Sequence, residues 1–138
     1  MSHLEIYIDG ASQGNPGHSG VGVVIYRDGL RFKNISNYIG QATNNVAEYT
    51  ALIYALQEAL LLKAKSLKIN TDSQLLARQL NKIYKVKHAG LINLYNQAVR
   101  LLSGFEKVSI NHIPREENSL ADKLATKAIK LALGKSLA

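Results

Sequence analysis

The chain has 138 residues, no cysteine and a formal net charge of +7. This length suits one domain with a buried core, and the lack of cysteine excludes disulfides, thiolate zinc sites and thiol nucleophiles. The apolar stretches are too short to cross a membrane, and the N-terminus has neither the basic start nor the apolar run of a signal peptide. We therefore expect one domain over residues 1–138, a cytoplasmic monomer with no membrane or disulfide-bonded partner.

The first part of the chain has the alternating apolar pattern of β-strands. Strands are predicted over residues 4–8, 21–26 and 30–39, and Asp28-Gly29 between the last two is a hairpin signal. Residues 10–20 contain four glycines around Asn15-Pro16, which predicts a loop. Three antiparallel strands are therefore expected at the start of the fold.

The remainder of the chain alternates helical and strand patterns. Helices are predicted over residues 46–62, 73–81, 91–102 and 117–133, strands over 66–71 and 107–113, and an N-cap at Thr43 or Asn44. This alternation favours parallel pairing, so the order βββαβααβα predicts an α/β fold with a mixed sheet. The strands that end at Asp9 and Asp72 should lie close together, with both acids at the edge where α/β folds bind ligands.

Four of the ten acidic residues occupy positions where a core would favour a neutral side chain. Asp9 and Asp72 end two predicted strands, and helical spacing places Glu48 and Asp122 on the apolar stripes of two helices, near their starts. One alternative for the helix acids is that they only stabilise the helix macrodipole, by roughly a few tenths of a kcal/mol. Because unpaired buried charge is costly, the set of four predicts a site for a hard cation such as Mg²⁺ or Mn²⁺.

The segments around these acids resemble the successive motifs of type 1 ribonuclease H. They read IDGASQGNPG at 8–17, TNNVAEY at 43–49, TDSQ at 71–74 and HIPREENSLAD at 112–122, and the resemblance extends over about residues 3–131. It implies a ribonuclease H-like α/β fold: a five-stranded mixed sheet, three antiparallel strands followed by parallel ones, flanked by helices. It also implies endonucleolytic hydrolysis of the RNA strand of an RNA–DNA hybrid, leaving 5′-phosphate and 3′-hydroxyl ends.

The resemblance further implies a catalytic centre with two Mg²⁺ or Mn²⁺ ions. Asp9, Glu48, Asp72 and Asp122 would hold the ions on either side of the scissile phosphate, where they activate a water and neutralise the leaving oxygen. In the family's catalytic pattern, a histidine at the position of His112 assists proton transfer or product release, tasks that suit its neutral pKa range. The alternative for His112 is an ordinary surface histidine beside a strand.

Short polar residues match family positions that contact the substrate. A hybrid has a wide minor groove that displays 2′-hydroxyls, which side-chain amides can recognise by donating and accepting hydrogen bonds. The matching residues are Gly10, Asn15, Thr43, Asn44, Asn45 and Gln74. Local alternatives are turn chemistry for Asn15, a helix cap for Thr43 and the bend of the chain for Gly10.

Positive charge is concentrated in residues 51–138, which carry a net +8, whereas residues 1–50 carry −1. A basic balance favours a polyanionic partner, although lysine-rich helices are also common as solvated surfaces. The segment 84–88 combines a tyrosine with basic residues and is either a phosphate contact or a solvated connector. Neither the tryptophan-bearing basic protrusion of some relatives nor an N-terminal hybrid-binding domain is expected, so hybrid binding should be weaker and more salt-sensitive.

Two other functions stay open at this stage. One is a non-catalytic nucleic-acid-binding module with a ribonuclease H-like fold, and the other is a nuclease of the same fold that acts on another duplex. The four carboxylates favour catalysis over binding alone, because a pure binder would gain from removing negative charge near phosphate.

Overall fold

The computed structural model describes residues 3–134. Its strands are β1 (His3–Gly14), β2 (Gly17–Arg27), β3 (Leu30–Ala42), β4 (Ser66–Thr71) and β5 (Lys107–His112). Its helices are α1 (Asn44–Leu61), α2 (Gln74–Leu80), α3 (Ala89–Leu102) and α4 (Ser119–Ala132), with a 3₁₀ turn over Arg115–Asn118. No helix in this part of the chain is long and apolar enough to span a membrane.

The five strands form one mixed sheet in the order β3-β2-β1-β4-β5. β2 pairs antiparallel with β1 and β3, whereas β4 pairs parallel with β1 and β5. The predicted α/β fold, with three antiparallel strands followed by two parallel ones, is therefore confirmed.

Helices cover the sheet on both faces. The core lies between α1, α3 and one face, where Ile6 and Ile8 of β1 pack with Val23 of β2 and with Leu52 and Leu56 of α1, all fully buried. α4 lies against the opposite face. Side chains alternate along β2, and Gly20 and Gly22, on either side of the core residue Val21, contact the α4 backbone. The two helices that carry predicted site acids thus reach the sheet from opposite sides.

The predicted loop over residues 10–20 is wrong, because most of this segment is strand. β1 continues to Gly14 and β2 begins at Gly17, with Gly10 paired to Val21 and Gly14 to Gly17, so only residues 15–16 form the turn. Several of these glycines serve close packing and not a loop: a side-chain carbon at Gly10 would lie 2.2 Å from the Ala47 carbonyl carbon of α1. The other predicted element boundaries differ from the observed ones by up to three residues.

Candidate metal centre

Asp9 and Asp72 lie side by side where β1 and β4 separate. The parallel register pairs Ile8 with Thr71, and β4 ends there, so the acid after each of these residues lies at the same sheet edge. Asp9 is only 5% exposed and continues in β1, opposite Gly22 of β2. The prediction that the two acids share one edge is confirmed, although Asp9 lies within its strand and not at the end of it.

Glu48 reaches this edge because α1 crosses β1 at Gly10. The Gly10 backbone N–H donates a hydrogen bond to Glu48 Oε1 at 3.0 Å, which holds the carboxylate beside Asp9. A side chain at Gly10 would collide with the backbone of Ala47 and Glu48, so glycine is required at this crossing. The observed role of Gly10 is therefore helix packing and orientation of Glu48.

Asp122 arrives from the other face of the sheet, in the first turn of α4. A side-chain carbon at Gly22 of β2 would lie only 2.0 Å from the Ala121 carbonyl oxygen, so α4 contacts β2 directly. Ala121 and Ala125 on this side of the helix are fully buried. The predicted apolar stripe of this helix therefore faces the sheet and brings Asp122 to the edge.

The four predicted acids line one cavity of about 430 Å³. One carboxylate oxygen from each of Asp9, Glu48 and Asp72 lies within 4.8 Å of the others, whereas Asp122 lines the cavity without joining that tight cluster. Oxygen donors at this spacing fit a hard divalent cation. The remaining lining residues are Gly10, Ala11, Ser12, Asn44 and Arg115.

The electrostatics of the cavity favour the uptake of positive charge. Burial raises the pKa of Asp9 from 3.8 to about 9, and the negative charges of Glu48 and Asp72 add to this effect. Burial also raises the pKa of Glu48 from 4.5 to about 8, and the negative charge of Asp72 adds to this rise. The hydrogen bond from the Gly10 N–H and the positive charge of Arg115 act to lower the same pKa. The metal-free cluster thus retains protons at neutral pH that a bound cation would displace.

His112 ends β5, one strand beyond Asp72, and pairs with Thr71. It is exposed and does not line the cavity described above. The neighbouring Ile113 N–H donates to the Thr71 carbonyl at 2.9 Å, which holds the end of β5 against β4. Its catalytic role stays a prediction.

The predicted substrate-contacting residues surround the start of α1, except for Gln74, which opens α2. Thr43 caps α1 by accepting a hydrogen bond from the Val46 N–H at 3.2 Å, and Asn15 Oδ1 accepts from the Asn44 N–H at 3.0 Å. The local roles expected for Thr43 and Asn15 are therefore present. Asn44 lines the cavity, whereas Asn45 and Gln74 are exposed outside it, and contact with a substrate stays a prediction for the whole set.

The basic connector between α2 and α3 is short and exposed. Tyr84 accepts a hydrogen bond from Arg78 at 2.7 Å, and the guanidinium of Arg78 lies 5.2 Å from its ring centroid. Lys85 and Lys87 are exposed. Tyr84 is thus engaged within the protein, and the two lysines face solvent.

Two residues of the site were not singled out as functional from the sequence. Arg115 lines the cavity and contributes positive charge beside Glu48. Asn118 is 1% exposed, and its side-chain amide donates to the Ile8 carbonyl at 2.8 Å and to the Asp72 carboxylate at 3.2 Å. One available signal was that Asn118 precedes Asp122 by four residues, the spacing of one helix face.

Comparisons with known proteins agree with this arrangement. The Reverse transcriptase-like family model matches residues 7–128. Ribonuclease HI of Halobacterium salinarum is 42% identical over 127 residues, which are 91% of this chain and 64% of that protein. A bifunctional protein of Mycobacterium tuberculosis is 40% identical over 129 residues, which are 92% of this chain and 35% of that protein. The chain therefore spans only part of the length of these relatives.

Solved structures of similar proteins have the same fold. The crystal structure of the Halobacterium salinarum ribonuclease H1 has a TM-score of 0.90 at 40% identity and covers 93% of this chain and 98% of its own. A ribonuclease H1 isolated from compost was solved in complex with an RNA/DNA hybrid. It has a TM-score of 0.89 at 39% identity, and the match covers 94% of this chain and 99% of that chain. With the family model and the five-stranded sheet, these similarities show that the chain belongs to the type 1 ribonuclease H family.

Proposed function

We propose that the protein is a metal-dependent endonuclease that hydrolyses the RNA strand of RNA–DNA hybrids. The observation that carries this proposal is the convergence of four carboxylates from β1, α1, the end of β4 and α4 on one cavity. The similar ribonuclease H1 that was solved with a hybrid supports the same substrate class. Products are expected to carry 5′-phosphate and 3′-hydroxyl ends.

Asp9, Glu48, Asp72 and Asp122 would hold two Mg²⁺ or Mn²⁺ ions. When bound, such ions supply an activated water and stabilise the leaving oxygen of the phosphodiester. The chain's own residues prepare the site: the Gly10 N–H orients Glu48, the Asn118 amide orients Asp72, and Arg115 places a positive charge beside them. His112 assists proton transfer or product release from the neighbouring strand end.

Selectivity for a hybrid is assigned to the short polar residues around α1 and α2. Asn44 lies at the cavity, where a ribose 2′-hydroxyl next to the scissile phosphate would pass. The remaining members of this set are Gly10, Asn15, Thr43, Asn45 and Gln74. Because several amides read several hydroxyls, a single ribonucleotide within DNA should be a poor substrate.

The test is a cleavage assay with the purified protein and four labelled substrates: hybrid, RNA duplex, DNA duplex and single-stranded RNA. Each is incubated with Mg²⁺, with Mn²⁺ or with EDTA, and the product ends are identified by their reactivity with a 5′-phosphate-dependent exonuclease. Metal-dependent cleavage restricted to the RNA of the hybrid is expected. Tight hybrid binding without cleavage would instead indicate a binding module, and efficient cutting at one isolated ribonucleotide would contradict the proposed readout.

A further inference from the structure

Helix α4 carries three lysines on one exposed face. Lys123, Lys127 and Lys130, here called the α4 lysine row, follow the spacing of four and three residues that places side chains above one another on a helix. All three are exposed, and within residues 3–134 none has a carboxylate oxygen within 4.0 Å. The row therefore presents three positive charges that form no ion pair within the described residues.

The row begins at the edge of the candidate metal centre. A shallow cavity of about 330 Å³ runs along α4 and is lined by Asp122, Thr126 and the α4 lysine row. Asp122 also lines the carboxylate cavity, so the two cavities adjoin at this residue. A strand whose phosphate occupies the metal centre can thus continue directly onto the lysines.

The length of the row matches a short run of phosphates. Lys123 and Lys130 are about 10 Å apart along a helix that rises about 1.5 Å per residue. Consecutive phosphates of one strand of B-form DNA advance about 3.4 Å along the axis, so a strand running parallel to α4 would place about three phosphates along this distance. Lysine ammonium groups bind phosphates as point charges, whereas the Thr126 hydroxyl between them donates its hydrogen to the Asp122 carbonyl at 2.9 Å.

We propose, building on the hybrid-cleaving function above, that the α4 lysine row binds about three consecutive phosphates of the cleaved strand on one side of the cut. The four carboxylates repel the phosphate backbone where no cation neutralises them, and the adjacent row offsets this repulsion. The row therefore contributes to substrate affinity and to the register of the strand, and it takes no part in the chemical step.

The experiment compares two triple variants with the same loss of charge. The test variant combines Lys123→Gln, Lys127→Gln and Lys130→Gln. The matched control combines Lys63→Gln, Lys65→Gln and Lys107→Gln. These control lysines are exposed and lie near the starts of β4 and β5, at the sheet end away from the carboxylates. Steady-state kinetics on hybrid give KM and kcat. The salt dependence of affinity is measured by fluorescence anisotropy with Asp9→Asn added to each protein, so that binding is observed without cleavage.

The test variant should have a KM raised roughly tenfold and a kcat nearly unchanged. Its slope of log affinity against log salt should be smaller by about 2–3. The control should change neither the KM nor the slope. Shortening the hybrid by three base pairs on one side of the preferred cut should weaken the unaltered protein but not the test variant. Equal KM values and equal slopes in the two triple variants would overturn the proposal. Failure of the unaltered protein to cleave hybrid would instead refute the proposed function, and the anisotropy comparison would still decide whether the row binds nucleic acid.

Discussion

The side-chain amide of Asn118 donates a hydrogen bond to the carboxylate of Asp72 at 3.2 Å. The same nitrogen lies 2.8 Å from the carbonyl oxygen of Ile8, the residue before Asp9, so one buried amide connects the middle of β1 and the end of β4 to the start of α4. Both partners are acceptors, which fixes the amide orientation and leaves Asn118 Oδ1 buried with no partner in the described structure. Asn118 is therefore a positioning residue for the acidic cluster.

Replacing Asn118 with Ala should weaken both the fold and the metal site. The change leaves the Ile8 carbonyl without this donor, at a cost of about 1–3 kcal/mol in the free energy of unfolding. Loss of a hydrogen bond to a ligating carboxylate should reduce metal affinity roughly 10–100-fold. Chemical denaturation and calorimetric Mn²⁺ titration measure the two effects, with exposed Asn34→Ala of β3 as the control. Wild-type Mn²⁺ affinity in the Asn118 variant would show that the amide does not position Asp72.

Replacing Asp9 with Asn should abolish cleavage while leaving the fold intact. The substitution preserves shape but removes a carboxylate from the most crowded part of the acidic cluster. Without metal, the same loss of repulsion should increase stability. Turnover at saturating Mg²⁺ and denaturation in EDTA are the measurements, and Asp28→Asn, an exposed acid in the β2–β3 turn, is the matched control. Near-normal turnover by the Asp9 variant would refute its assignment as a metal ligand.

The free energy of unfolding of the metal-free protein should fall as pH rises toward the raised pKa values of Asp9 and Glu48. The pKa values of Asp9 and Glu48 are raised from 3.8 and 4.5 to about 9 and about 8, so the folded state binds more protons than the unfolded state between these limits. Their stabilising protons are fully present at acidic pH and are lost as pH approaches 9. Thermal melts in EDTA from pH 5 to 9 should show this decline, which should shrink in Asp9→Asn. Saturating Mg²⁺ should reduce the decline as well, and a wild-type decline no steeper than that of Asp9→Asn would argue against the coupled cluster.

Replacing His112 with Ala should slow turnover without eliminating it. General acid–base assistance contributes roughly 10²–10⁴-fold, and a role in product release would give a smaller loss. Hybrid affinity should barely change, because the exposed ring does not line the carboxylate cavity. The pH–rate profile from pH 6 to 9 is the measurement, with His3→Ala at the opposite end of the sheet as control. Identical profiles for wild type and the His112 variant would indicate a surface histidine with no catalytic part.

Replacing Gly22 with Ala should destabilise the protein and reduce activity together. The added methyl would lie 2.0 Å from the Ala121 carbonyl oxygen, so α4 must move away from β2 and take Asp122 with it. Overpacking of this kind costs about 1–3 kcal/mol or more. Gly90→Ala, at an exposed position in the first turn of α3, should cost less, because its methyl would meet only the exposed His88 ring, at 3.2 Å, and this side chain can shift. Equal stability of the two variants would contradict the close contact between α4 and β2.

Local pattern in the sequence determined most of the elements and the identity of the acidic set. Alternation predicted the strands, and helical spacing predicted that Glu48 and Asp122 lie on apolar stripes, because a side chain's face depends only on the period of its own element. The strand–helix order was enough to predict that Asp9 and Asp72 meet at one sheet edge. These inferences need no knowledge of which distant residues touch.

Contacts between distant segments were decided only by the tertiary structure. The glycines of residues 10–20 predicted a loop, yet they lie in paired strands, where Gly10 meets the α1 backbone and Gly20 the α4 backbone with no room for a side chain. In the sequence, Asn118 is only one residue of a motif. In the folded protein its amide contacts Ile8 and Asp72, which are 110 and 46 positions away along the chain. The reason is physical: periodicity specifies which face a residue occupies, whereas the packing of whole elements sets which faces meet and how closely. Helical spacing aligns the three lysines of α4, and the packing of α4 on the sheet places the start of this row at the metal centre.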